Sequence, residues 1–140
     1  MRNGQFRVVR EGLGLSRTDI AQMTQVSTQA VKNWEQIRNF VPPGVGHDLA
    51  TLEAWTERVV QAVIQAAREH EAPLLLAYRT DEEMPPGPAR DLGAAWWRQV
   101  IFRAHLALPD AEIVYPQETR DLGSLEERAR RTIGAHNITL

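Results

Sequence analysis

The chain has 140 residues, 43% of them hydrophobic, and a formal charge of −2, enough for one domain or a small head plus a second module. It contains no cysteine, which excludes disulfide frameworks, thiolate zinc sites and cysteine nucleophiles. No apolar run approaches the roughly 18 residues that span a bilayer, and the opening MRNGQFRVV lacks an apolar signal segment, so a soluble, cytoplasmic protein is the expectation.

The small net charge hides a gradient. Residues 1 to 40 carry six basic side chains against three acidic ones, a balance of +3. Residues 41 to 86 stand at −5, and residues 87 to 140 are neutral. A surface that binds phosphates therefore belongs at the N-terminal end.

Four short helices fit the first forty residues or so. Asn3 reads as the cap of a helix in which Phe6, Val9 and Leu13 recur at three- and four-residue spacing. SRTD follows, where the Ser16 hydroxyl is placed to accept from the Asp19 amide while the Asp19 carboxylate reaches back, a short capping box. Ile20, Ala21 and Met23 form the apolar stripe of the helix so begun, and Thr24, Gln25 and Val26 interrupt it. Ser27 is a second cap. It opens a helix whose inward face is Ala30, Val31 and Trp34 and whose other residues include Gln29, Lys32 and Asn33. Trp34 shares the face of Ala30 and Val31, which assigns it to the core in preference to base stacking.

PPGVG, from Pro42 to Gly46, stops one element and starts the next, because proline is tolerated in a first helical turn. Val45, Leu49, Leu52, Trp55, Val59, Val63 and Ala66 then step at helical spacing and predict one helix of about 25 residues, 44–70. APLLLAYR, from Ala72 to Arg79, reads as a strand and the acidic, proline-rich DEEMPPGP as a loop. Ala89 to Leu108 is helical again. AEIVYP resembles a second strand, and Ser124 caps a last charged helix, EERARR, ahead of a tail of undefined structure. Trp96 and Trp97 lie about 100° apart on their helix, so burying both requires cover on two sides. One is expected to face the C-terminal core and the other a subunit interface that includes Val100 and Ile101.

Catalytic chemistry has little to stand on. The four histidines are scattered, with none in HExxH spacing, and GLG and GVG are turn glycines without the strand that a dinucleotide fingerprint needs. Asp81, Glu82 and Glu83 read as a solvated run. No enzyme, cofactor, metal or small-molecule ligand is expected.

A stronger signal spans about twenty residues: two capped helices across a three-residue turn, small Ala21 in the first, and branched Val31 ten residues later to lock the second against it. The run VREGLGLSRTDIAQMTQVSTQAVKNWEQ resembles the helix–turn–helix of phage repressors, Cro proteins and bacterial relatives of the Xre type. The resemblance implies that Thr28, Gln29, Lys32 and Asn33 contact bases in the major groove and that Arg17, Ser27 and Arg38 contact phosphate. It further implies that Arg10 and Glu35 form a structural ion pair. One departure is the turn position, usually glycine, where Gln25 must accept φ > 0. The remaining pattern, VPPGV opening a long helix and then AYRTDEEM and GAAWWRQVIFRAHLAL, is similar to small regulators that accompany anti-CRISPR genes in phages and mobile elements.

The fold class implied is mainly α: a lambda-repressor-like head of four to five helices, 1–70, followed by a small α+β dimerisation part, 71–140. The function implied is sequence-specific repression by a homodimer bound to double-stranded DNA at an inverted repeat, controlling its own operon. The alternative is an antitoxin-like protein-interaction module whose acidic middle engages a basic partner.

Overall fold

In the computed structural model, residues 1–139 are described, and they form a mainly helical chain with a small parallel sheet. The chain divides into two compact units, Met1–Thr56 and Glu57–Leu140, and the division falls inside its longest helix. No helix among the described residues is long and apolar enough to cross a membrane.

The first unit holds α1 (Asn3–Gly12), α2 (Arg17–Thr24), α3 (Thr28–Glu35) and the N-terminal half of α4 (Pro43–Arg68). Three helices, not four, occupy the first forty residues. The stretch after α3 cannot continue as a helix because Ile37 sits at φ 61 and two prolines follow. Asn3 is the first helical residue and not the cap, which is Arg2 with no side-chain bond. The α2 capping box is present, with Asp19 N donating to Ser16 Oγ at 3.0 Å and Ser16 N to Asp19 Oδ2 at 2.7 Å. Gln25 closes α2 in the left-handed region at φ 57, ψ 41, and Ser27 opens α3 by accepting from Ala30 N at 3.1 Å. Phe6, Leu13, Ile20, Ala21, Val31 and Trp34 are buried together in this unit. The Phe6 and Trp34 rings meet edge to face at 5.6 Å, a favourable aromatic geometry.

The second unit is built on a three-stranded sheet in the order β2-β1-β3, formed by β1 (Leu74–Leu76), β2 (Glu112–Val114) and β3 (Thr132–Ile133). Both neighbours run parallel to β1, with Leu75 opposite Ile113 on one side and Ile133 on the other. Parallel neighbours need long crossovers. Here these carry α5 (Pro88–Leu92) and α6 (Ala94–Ala107) between β1 and β2, and α7 (Leu125–Arg131) between β2 and β3. The expected α+β arrangement is thus an alternating strand–helix one, with a third strand that is too short to be read from its residues.

The single helix expected over Ala89 to Leu108 is two, broken at Gly93, whose φ is +104. Asp81 Oδ1 accepts from Ala94 N at 2.7 Å, so an acid of the supposedly solvated run opens α6. A side chain at Gly93 would also crowd that carboxylate, since its Cβ would lie 3.2 Å from Oδ1. Gly134 has a similar duty, because a Cβ there would sit 2.7 Å from the Tyr78 hydroxyl. That hydroxyl accepts from Ala135 N at 3.1 Å, tying the end of β3 to the end of β1.

The core of this unit corrects one expectation. Trp96, Trp97, Val100 and Ile101 are at most 1% exposed within the single chain, so none of them presents a surface to a second subunit. Trp97 Nε1 donates to the Leu76 carbonyl at 2.7 Å, and the Tyr78 and Trp96 rings lie 6.4 and 6.2 Å away. Cover on two sides was the right requirement for adjacent tryptophans, and this chain supplies both sides itself.

Candidate functional site

The exposed face of α3 follows from helix geometry. Thr28, Gln29, Lys32 and Asn33 fall within an arc of about 140°, opposite Ala30, Val31 and Trp34. Thr28, Gln29 and Lys32 are exposed, Asn33 is half-buried, and Val31 and Trp34 are buried. Gln29 Nε2 donates to Asn33 Oδ1 at 2.9 Å, one turn further on. That bond fixes the two amides relative to one another and leaves the Gln29 oxygen and the Asn33 NH2 group to other partners.

What holds α3 is a buried carboxylate. The Glu35 side chain is 0% exposed and accepts from two arginines. Arg10 of α1 reaches Oε1 through Nε at 2.8 Å and Nη2 at 2.6 Å, and gives Nη1 to the Leu15 carbonyl at 2.8 Å. Arg17 of α2 reaches Oε2 through Nε at 2.7 Å. Three helices are therefore joined at one residue. Burial alone pushes the Glu35 carboxyl up, but hydrogen bonds from Arg17 and Arg10 and the charges of both outweigh it and hold it below the ordinary carboxylate value.

The Arg10–Glu35 contact has the form that the resemblance implies. Arg17 differs: one of its five N–H donors is occupied by Glu35, so it has a structural duty beside any phosphate contact. Ser27 and Arg38 are both exposed. Ser27 caps α3, and Arg38 lies just past it, where its own backbone N–H bonds the Asn33 carbonyl at 3.0 Å.

Asn3 joins this set without having been expected there. Its Nδ2 donates to the Trp34 carbonyl, and to the Asn39 carbonyl at 2.9 Å, so α1 also fixes the chain leaving α3. Only its position after Arg2 was visible in the sequence, and that suggested a cap; nothing local points to a bond across 31 residues. Phe40, in the same segment, is 92% exposed.

Among the described residues no group of three or more His, Asp or Glu is placed to hold a metal ion. Comparison with known protein-family models and with curated proteins finds no match to this chain. The geometry of the helices therefore carries the functional reading.

Proposed function

We propose that this chain is a sequence-specific repressor that binds double-stranded DNA in the cytoplasm as a homodimer, with α2 and α3 as a helix–turn–helix in a lambda-repressor-like head. The observation that supports it is the exposed polar face of a short, rigidly held α3. With its side chains a helix is about 10 to 12 Å across, matched to a major groove about 12 Å wide. Amide side chains at Gln29 and Asn33 suit bidentate contact with adenine, and Lys32 suits guanine. The +3 balance of residues 1 to 40, in a chain of net −2, adds the phosphate attraction that non-specific affinity requires.

One head offers few base contacts. Pairing two about a two-fold axis doubles them on an inverted repeat whose half-sites lie about 34 Å apart. In the regulators that the sequence resembles, such a repeat lies near the protein's own promoter, and control of its own operon is the corresponding proposal here.

The test is selection of bound duplexes from a random pool, then titration of the enriched site at two salt concentrations. Gln29→Ala and Asn33→Ala are expected to cost about 1 to 3 kcal/mol at particular base pairs, and less than additively in combination because the two side chains bond each other. Arg38→Ala should weaken all sequences alike and reduce the salt slope by about 1. Arg17→Ala is a poorer phosphate probe, since it also unties Glu35. A pool from which no inverted repeat emerges, or α3 variants with equal losses on every duplex, would remove the base-reading assignment.

A further inference from the structure

With Trp96, Trp97, Val100 and Ile101 enclosed, a different part of the second unit is left to face a partner. β2 has a neighbour on one side only. Val114 O accepts from Ala77 N at 2.9 Å. Alternate residues of a strand direct their N–H and C=O to opposite sides, so the amide and carbonyl of Ile113 point away from β1, at the open edge. Phe102, Leu106, Ile113 and Tyr115 are 37% to 68% exposed. Phe102, Ile113 and Tyr115 line one groove of about 330 Å³ together with the charged Arg98 and Glu118. Leu106 follows Phe102 by one turn of α6, on the same side of the helix. The strand has no lysine and no proline, and its protection as an edge is limited to its shortness and the single charge of Glu112.

We propose that this edge is the docking surface for a second copy of the chain, with the two-fold axis passing between two β2 strands and Ile113 paired with Ile113 of the partner. The inference rests on the homodimeric part of the reading above and not on its DNA-binding part.

Three arguments favour a second copy over another occupant. A two-fold axis normal to a sheet makes edge strands antiparallel, and a residue on the axis then exchanges both N–H···O=C bonds with its own copy. Ile113 has that one outward pair of groups to offer, which satisfies a self-pairing but is too short a ladder to hold an extended foreign strand by its backbone. The four apolar side chains together expose on the order of 400 Å² per copy, in the range of functional patches. Doubled by symmetry and bordered by a polar rim, that area approaches the roughly 1,200 Å² at which specific interfaces begin.

The test uses the full chain and its lack of cysteine. Directly opposed, hydrogen-bonded residues in an antiparallel pair have Cα atoms about 5.5 Å apart, within the span that a disulfide bridges. Ile113→Cys is therefore expected to form a covalent dimer nearly completely under mild oxidation, whereas Leu125→Cys, on exposed α7, is not. In sedimentation across about 1 to 100 μM, Phe102→Glu and Ile113→Pro are expected to weaken the dimer a hundredfold or more with the far-UV spectrum kept. Proline is tolerated on an edge whose N–H faces outward. A parent chain that is dimeric, yet stays so in both variants and fails to cross-link through position 113, overturns this face and leaves the homodimer standing. A parent chain monomeric throughout that range overturns both. Dimer loss in the variants together with cross-linking at 113 supports the proposal.

Discussion

The two units fix their geometry by different means. In Met1–Thr56 the decisive contact is ionic, with one enclosed carboxylate, Glu35, joining α1, α2 and α3 through Arg10 and Arg17. In Glu57–Leu140 it is apolar, with Trp96 and Trp97 filling the core and the Trp97 indole N–H donating to the Leu76 carbonyl. A small unit buries a smaller share of its surface than a large one, and a directional charge pair adds orientation to what packing supplies. The difference also bears on the proposed function: a helix with four polar residues on its outer face is anchored at its last residue, beyond that face.

The sharpest way to break the contrast is Glu35→Ala. It leaves Arg10, whose side chain is 10% exposed, without its carboxylate. Removing one partner of a buried pair costs about 3 to 5 kcal/mol, so urea denaturation followed by circular dichroism should show the first unit lost well before the second. The pH dependence has a fixed sign. Because the folded Glu35 carboxyl lies below its ordinary value, its contribution is present at neutral pH and is lost as pH falls below the ordinary carboxylate range through that lowered value. Glu35→Gln should flatten this part of the acid limb. Glu83, held low by the Arg79 backbone amide, titrates alike in both proteins and cancels from the comparison, whereas Glu11, held low chiefly by Arg7, also feels Arg10 and Arg17 and is held lower still once Glu35 loses its charge.

Trp97→Phe probes the apolar side of the contrast. It removes the indole ring edge and strands the Leu76 carbonyl, a loss of about 2 to 3 kcal/mol from the second unit. Since Trp97 is enclosed by its own chain, the loss should be the same at every protein concentration. A loss that shrank as subunits were diluted apart would return this tryptophan to an interface.

These contrasts also explain what could be read before the structure. The caps at Ser16 and Ser27 depend on residues three apart, so their chemistry is local and their spacing visible. Arg10 and Glu35 are 25 residues apart, and only the resemblance to known helix–turn–helix proteins pointed to their pairing. The part of Arg17 in that pair went unread, because an arginine at a helix start suits solvent or phosphate equally well. In the second unit, a short apolar run bounded by polar turns marked β1 and the β-branched pair Ile113 and Val114 marked β2, whereas β3 is two residues long and follows a charged helix directly. Gly93 was a legible break within the supposed long helix, although its partner Asp81 lies 13 residues away. The tryptophan pair shows a firmer limit: adjacency on a helix implies cover on two sides, but sequence does not say which chain provides it.

Ser27→Ala is a milder change within the first unit. It removes the acceptor for Ala30 N at the start of α3 and should cost about 1 kcal/mol. The comparison sharpens if Ser124→Ala, which removes the same bond from short, exposed α7, costs the head nothing and the second unit less.

The smallest expected effect is a gain. Gln25 occupies the left-handed region at φ 57, where a side chain costs about 1 to 2 kcal/mol and glycine costs nothing. Glycine also gives the unfolded chain more freedom, which takes back about 0.4 to 1 kcal/mol. The first magnitude exceeds the second, so Gln25→Gly should stabilise the first unit by roughly 0.5 to 1 kcal/mol, read as a rise in its urea midpoint with an unchanged slope. Gln25 is exposed, so no burial is forfeited. Ile37, at φ 61 and 80% exposed, meets the same conditions with a β-branched side chain and should gain more on substitution by glycine. If both changes stabilise the unit while affinity for the selected duplex stays constant at Gln25→Gly and falls at Ile37→Gly, the segment after α3 also takes part in binding. If neither changes affinity, the face of α3 is sufficient.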